Sequence, residues 1–115
     1  MNIEWVRNFS LSLPKTTEDV KWGNDLCFLI AGKMFCVTGT GAEMMASFKC
    51  DEENSNELCE REGIIPAPYM ARNKWVQVQK NSALTKSEWA HYIKKSYGLV
   101  ASKLPKKTQK ELGLS

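Results

Sequence analysis

Apolar residues at the start of the chain recur at helical spacing. Ile3, Val6 and Phe9 lie three residues apart, and a proline that would stop a helix follows soon after them. The sequence therefore predicts a helix over residues 2–12. The next segment, Lys15 to Asp25, is mostly polar, and we interpret it as a loop.

Three apolar runs in the middle of the chain predict β-strands. Leu26–Ile30 and Lys33–Thr38 are joined by the two residues Ala31-Gly32, which is the spacing of a β-hairpin. Met44–Cys50 predicts a third strand.

An acidic segment follows these strands. Asp51 suits an N-cap, and Glu52 and Glu53 suit the first turn of a helix. Gly63 suits a helix stop, so we predict a helix to about Glu62. Its acidic side chains would cover a solvent-facing surface.

A fourth strand is predicted at Lys74–Lys80 by strict alternation. Val76 and Val78 fall on one face of this strand, and Trp75 falls on the other face with the glutamines. We expect the valine face to be core and the other face to meet solvent or a ligand.

The last predicted helix begins at a capping box formed by Thr85 and Glu88. Its apolar stripe consists of Trp89, Ile93, Tyr97, Val100 and Leu104. A basic tail over residues 105–115 follows. The order helix, three strands, helix, strand, helix predicts one α+β domain over residues 1–115. We expect a mostly antiparallel sheet of about four to five strands, flanked by the N- and C-terminal helices.

Composition changes this picture mainly through charge. The net charge of +3 comes from 16 Lys+Arg and 13 Asp+Glu among 115 residues. Residues 1–50 carry five basic and five acidic side chains, residues 51–65 one and six, and residues 66–115 ten and two. Such asymmetry points to nucleic acid or a membrane surface as a partner. The alternative is that the lysines only decorate a solvated helix face.

The four cysteines do not form a recognisable metal or redox motif. Cys27, Cys36, Cys50 and Cys59 have no C-x-x-C pair, and the one histidine, His91, is distant in sequence. Zinc ligands normally come in close pairs, and two of the thiols lie in apolar strands. We predict reduced, structural cysteines; disulfides, zinc and a Cys–His91 nucleophile pair are the alternatives.

No set of residues predicts catalysis. The sequence lacks a nucleophile–base motif, paired carboxylates at a defined site and a redox motif. The acidic helix spreads its carboxylates too widely for a defined metal site. We therefore predict a non-enzymatic protein without cofactor or metal.

Short motifs in a characteristic order run along nearly the whole chain. They are Leu13-Pro14 followed by Trp22-Gly23; Gly32-Lys33-Met34-Phe35; Lys49-Cys50-Asp51; Pro66-Ala67-Pro68-Tyr69 leading to Ala71-Arg72 and Lys74-Trp75-Val76; and Ser96-Tyr97 with Leu99-Val100 and Lys103-Leu104-Pro105. In these motifs the chain resembles the MmcQ/YjbR family of small bacterial proteins. The resemblance implies a frataxin-like (CyaY-like) fold with a double-wing mode of DNA binding. Many members carry histidines near the Lys/Trp element, which residues 69–74 lack, so roles of those histidines do not transfer.

Phosphate binding needs clustered basic side chains at strand ends and loops. Trp75 could add stacking on a base, although packing within the sheet is the alternative. The candidate nucleic-acid-binding residues are Lys33, Arg72, Lys74, Trp75, Lys103, Lys106 and Lys107.

We therefore predict a DNA-binding protein that contacts the phosphate backbone through its basic C-terminal half. The alternative is a protein-interaction adaptor whose acidic and basic faces meet complementary protein partners. No apolar run approaches the roughly 18 residues of a membrane span, and the polar start does not resemble a signal peptide. We expect a cytoplasmic monomer that does not contact membranes.

Overall fold

A computed structural model describes residues 1–21, 23–40, 44–68 and 73–113. The helices are α1 (Ile3–Ser12), α2 (Glu52–Cys59), α3 (Lys86–Ser102) and α4 (Lys106–Glu111), and a short 3-10 helix spans Asn81–Ala83. The strands are β1 (Thr16–Lys21), β2 (Asp25–Ile30), β3 (Lys33–Gly39), β4 (Ala46–Lys49), β5 (Ile64–Pro66) and β6 (Trp75–Val78). These form one open antiparallel sheet in the order β1-β2-β3-β4-β6-β5. The predicted α+β class is confirmed.

Side chains cap the helices where the sequence predicts that they begin. The Asp51 carboxylate accepts a hydrogen bond from the Asn54 backbone N–H at 2.8 Å, just before α2. Thr85 and Glu88 form the predicted capping box before α3. Each bond satisfies a donor that the first helical turn cannot pair internally.

The helices cover one face of the sheet and form the main core with it. Phe28, Phe48 and Val76 contribute from the strands, and Trp89 and Ile93 contribute from α3. All five side chains are fully buried. Burying aromatic and branched side chains is the dominant stabilising contribution to such a core.

A smaller apolar cluster lies on the opposite face of the sheet. It consists of Cys27, Leu29, Val37, Ala67 and Trp75, with Met34 packed against it. The alternation predicted for β6 is thus correct, since the valines and Trp75 belong to different clusters. The second face is nevertheless covered around Trp75, which is only 5% exposed.

The structure differs from the sequence prediction at the sheet edges and at the C-terminus. The sheet has six strands instead of four to five, and the segment Lys15–Asp25, predicted as a loop, contains β1. β1 is an edge strand whose side chains are mostly exposed on both faces, so no apolar alternation marks it. The residues predicted as a basic tail include α4.

Within the described ranges, none of the helices combines the length and the apolar character that crossing a membrane requires.

Candidate functional site

Three strands and the longest helix bring basic residues to one end of the sheet. β3 begins at Lys33, β4 ends at Lys49 and β6 begins at Trp75. Because these neighbours are antiparallel, those three positions lie at the same end. α3 ends there too, with Lys103 as its C-cap.

A cavity of about 310 Å³ opens at this end of the sheet, and we call it the basic pocket. Three basic residues line it, namely Lys33, Lys49 and Lys103. The rest of its wall is mainly apolar and consists of Met34, Trp75, Val100, Leu104 and Pro105. The pocket thus combines basic side chains with apolar surface.

A tight turn presents Lys33 to the pocket. Ala31 and Gly32 have φ angles of 50° and 78°, so both central residues of the hairpin are left-handed. That is the pattern of a type I′ turn, whose twist matches that of the flanking strands. The first residue after the turn is Lys33, at the tip of the hairpin.

A β-bulge separates Lys33 from the rest of β3. Phe28 pairs with Cys36 and Leu29 pairs with Met34, so Phe35 is the extra residue in β3. As a result the neighbours Phe35 and Cys36 both belong to the main core. Met34, on the other side of the bulge, lines the basic pocket.

The Ser96 hydroxyl is inserted between β3 and β4 beside the pocket. The Gly39 N–H bonds the Met45 carbonyl at 2.9 Å, and bonded pairs alternate along a ladder, so Phe35 and Lys49 would be the last such pair. Instead, the Ser96 hydroxyl accepts from the Lys49 N–H at 2.9 Å and donates to the Phe35 carbonyl at 2.6 Å. Ser96 therefore holds the strand ends apart and fixes the backbone of Lys49.

The end of α3 is held by a side chain from α4. The Gln109 amide donates to the Leu104 carbonyl at 2.8 Å and to the Ser102 carbonyl at 3.4 Å. Carbonyls at a helix end lack partners within the helix, so these bonds stabilise the turn that carries Lys103.

Like charges meet in the basic pocket without a compensating carboxylate. Burial and the neighbouring Lys103 ammonium lower the pKa of Lys49 below its usual value. The ion pairs found among the described residues join Arg7 to Glu18, Arg61 to Glu88, Lys80 to Glu62 and Lys95 to Asp51. In the described part of the chain, the three pocket lysines therefore have no acidic partner, and the repulsion between Lys49 and Lys103 favours a bound anion.

The predicted site residues fall into three groups. Lys33, Trp75 and Lys103 line the basic pocket together. The exposed Lys74 immediately precedes β6 at the same end of the sheet, and the exposed Lys106 and Lys107 open α4 just after the pocket. Arg72 lies outside the described residues.

Trp75 has a different environment from the one that base stacking requires. Its side chain is 5% exposed and packs in the second apolar cluster. A stacking platform needs an open ring face. The packing alternative therefore describes the indole better.

Lys49 is the pocket residue that sequence reasoning missed. It is the penultimate residue of the predicted strand Met44–Cys50, which pairs antiparallel with β3 and therefore runs back towards the hairpin tip where Lys33 lies. Its closeness to Lys103 depends on how α3 packs, which strand patterns do not reveal.

Other groups in the described residues offer less chemistry. No three His, Cys, Asp or Glu side chains there lie close enough to share a metal ion. All four cysteines are free, and burial raises the pKa values of Cys36 and Cys50 to about 12. A larger cavity of about 480 Å³ beside the start of α3 contains Lys86 as its only basic side chain.

The family model described as YjbR matches residues 11–99. The chain belongs to the YjbR family. Among solved structures, Deinococcus radiodurans protein DR2400, with a domain designated DUF419, is 25% identical with a TM-score of 0.90, over 99% of this chain and 89% of that one. A Pseudomonas syringae protein is 21% identical with a TM-score of 0.72, over 86% of this chain and 98% of that one, which shows a shared fold alone. No curated protein matches this YjbR chain.

Proposed function

We propose that this YjbR protein is a non-enzymatic nucleic-acid-binding protein, with DNA as the expected ligand, that contacts phosphates through the basic pocket. One observation carries the proposal: Lys33, Lys49 and Lys103 surround a single cavity and have no acidic partner among the described residues. When clustered lysines bind phosphates, they displace the counterions condensed on the nucleic acid. The release of these counterions is the main source of such affinity.

The surroundings of the pocket support an extended contact with a polyanion. Lys74, Lys106 and Lys107 are exposed beside it and would lengthen the basic surface along a nucleic-acid backbone. The type I′ hairpin that ends in Lys33 is the sort of projecting element that a double-wing mode needs. Because Trp75 is buried, we propose backbone contacts in place of base stacking, and hence weak sequence preference.

The state of the possible nucleophiles supports a non-enzymatic role. A reactive cysteine needs a lowered thiol pKa, whereas burial raises the pKa of both Cys36 and Cys50 to about 12. His91 is exposed and packs edge-on against Tyr92 at 5.0 Å between ring centres. An alkylation assay that finds one rapidly reacting thiol would contradict this part of the proposal.

The test is a fluorescence anisotropy titration of a labelled oligonucleotide at several salt concentrations. We expect log Kd to change with log salt by about 0.9 for each phosphate contacted, hence by about 3 to 4 in total for a surface of this size. Replacing Lys33, Lys49 and Lys103 together by Gln should reduce that dependence by about 2 to 3.

The matched control removes three lysines elsewhere. Lys21 lies at the opposite end of the sheet, Lys86 begins α3 about 25 Å from Lys103, and Lys94 is exposed halfway along α3. The control triple Gln variant has the same net charge as the pocket variant, which matches any effect of total charge. Because its three lysines lie away from the pocket, it should keep most of the affinity. Equal losses in both variants, or no binding of the natural sequence at low salt, would contradict the proposal.

The acidic surface of α2 favours a second candidate function, a protein-interaction adaptor. Glu52, Glu53, Glu57 and Glu60 are all exposed on or beside this helix. Recovery of one stoichiometric protein partner after nuclease treatment, together with absence of nucleic-acid binding, would support this alternative in place of the first.

A further inference from the structure

We infer that the basic pocket selects a phosphate monoester, such as the terminal phosphate of a nucleic-acid strand or a nucleoside monophosphate, over an internal phosphodiester. The inference deepens the proposed function and rests on phosphate binding at the same pocket. It follows from the charge of the pocket, from its shape and from the rigidity of its frame.

The charge of the pocket exceeds what one internal phosphate can neutralise. An internal phosphodiester carries one negative charge, whereas a phosphate monoester carries about −1.5 to −2 at neutral pH. Lys49 and Lys103 lie side by side, with Lys33 on the same cavity. A group with nearly two negative charges therefore relieves more of the repulsion among these lysines than a diester can.

The shape of the pocket favours a group at the end of a chain. Its volume of about 310 Å³ lies at the small end of the range of ligand pockets. Inside the cavity, Trp75, Val100 and Leu104 form an apolar wall that offers no partner to a second phosphate there. An internal phosphate has a charged neighbour on each side, but a terminal phosphate enters with only one sugar attached.

Hydrogen bonds within the protein hold the frame of the pocket. The Ser96 hydroxyl accepts a hydrogen bond from the Lys49 N–H and donates one to the Phe35 carbonyl, and Gln109 secures the turn after Lys103. Preorganised groups lose less entropy on binding, so this site can discriminate among anions by their charge and shape.

The experiment compares single-stranded oligonucleotides of one sequence that carry either a 5′-phosphate or a 5′-hydroxyl. We expect the phosphorylated strand to bind about fivefold more tightly, because the pocket then holds a group with about one more negative charge than an internal phosphate has, at about 4 Å in water. A strand with a 3′-phosphate should show a similar gain. Adenosine 5′-monophosphate and inorganic phosphate, each tested alone by NMR titration, show whether the pocket also accepts a free monoester.

Variants assign any preference to the pocket. Lys49→Gln and Lys103→Gln should each abolish the preference for the phosphorylated end, whereas Lys103→Arg should retain it because it keeps the charge. The control Lys86→Gln should leave it unchanged. Circular dichroism on every variant verifies that the fold is intact.

The outcomes separate the inference from the proposed function. Equal affinity for both strand ends, with salt-dependent binding, would overturn the inference and leave the proposed function standing. Binding of the monophosphate or of inorganic phosphate without binding of either strand would support the inference and overturn the proposed function. Failure of all these ligands would overturn both.

Discussion

Ser96 shows how one hydroxyl can decide the geometry of the candidate site. It is fully buried and bonds the Lys49 N–H and the Phe35 carbonyl, two groups that would otherwise pair with each other. Ser96→Ala removes the bridge, and at the separation that the hydroxyl imposes both groups are left unpaired inside the protein. We expect the free energy of unfolding to fall by about 1–3 kcal/mol, measured by urea denaturation.

The matched control for Ser96 lies on the same helix. The Ser102 hydroxyl donates only to the Leu99 carbonyl at 3.0 Å, in an exposed position. Ser102→Ala should change the free energy of unfolding by less than about 0.5 kcal/mol. If the Ser96 and Ser102 variants lost equal stability, the bridge would not have the structural role assigned to it.

Single residues also mark the limit of what the sequence predicts about the site. A clear signal in the sequence predicts the position of three pocket residues: a turn for Lys33, a strand for Trp75 and a helix for Lys103. The closeness of Lys49 to Lys103 is not predictable from the sequence, because it arises only when α3 packs across the sheet. The stacking role of Trp75 depended on exposure, and period-two alternation tells which face a residue is on but not what covers that face.

At the scale of elements, the interior elements were predictable and the sheet edges were not. The hairpin of β2 and β3 and the start of α3 follow from local chemistry, namely a two-residue link and a capping box. β1 is polar on both faces, and β5 has three residues and ends at a proline. Such segments become strands because a neighbouring strand pairs with them, and the local sequence does not reveal that pairing.

The start of α3 also contributes to how the stability of the protein depends on pH. The Arg61 guanidinium at 2.7 Å, followed by the Thr85 backbone N–H, lowers the pKa of Glu88 to about 2 from its usual value near 4.5. Between those two values the unfolded chain binds more protons than the folded chain. The stability from Glu88 is therefore complete above about pH 4.5 and is lost as the pH falls towards 2.

We predict that Glu88→Gln makes the protein less sensitive to acid. At pH 7 the variant should be about 1 kcal/mol less stable, a value reduced for the partial exposure of the ion pair. At pH 3 the difference in the free energy of unfolding between the two proteins should narrow, because the natural protein has lost part of this stability. Urea denaturation of both proteins at pH 7 and at pH 3 measures this difference. The control Glu62→Gln removes an exposed ion pair with Lys80 and should lose less stability at pH 7. If Glu88→Gln lost the same stability at both pH values, the lowered pKa of Glu88 would be contradicted.

At the scale of the whole molecule, opposite charges lie within one small body. The extents of the chain are 40 × 29 × 27 Å, so the acidic helix α2 and the basic pocket act on the same approaching polyanion. Ionic strength sets the reach of that action, because the Debye length is about 30 Å at 0.01 M salt and about 8 Å at 0.15 M. The carboxylates near the end of α2, a helix length from Asp51 at its start, should therefore influence a ligand of the basic pocket in dilute buffer and have little effect on it at physiological salt.

This separation predicts how acidic residues of α2 affect nucleic-acid binding. Glu57 and Glu60 are exposed near the end of the helix, where negative charge is unfavourable to the helix dipole, so Glu57→Gln with Glu60→Gln should not harm the fold. Anisotropy titrations with single-stranded DNA should show about two- to fivefold tighter binding at 0.01 M salt and no change at 0.15 M. Asn56→Gln, an uncharged change on the same helix, should have no effect at either salt. Weaker binding by the double variant at low salt would mean that α2 contacts the nucleic acid favourably. If its tighter binding persisted at 0.15 M salt, these carboxylates would lie within a few ångströms of the bound phosphates.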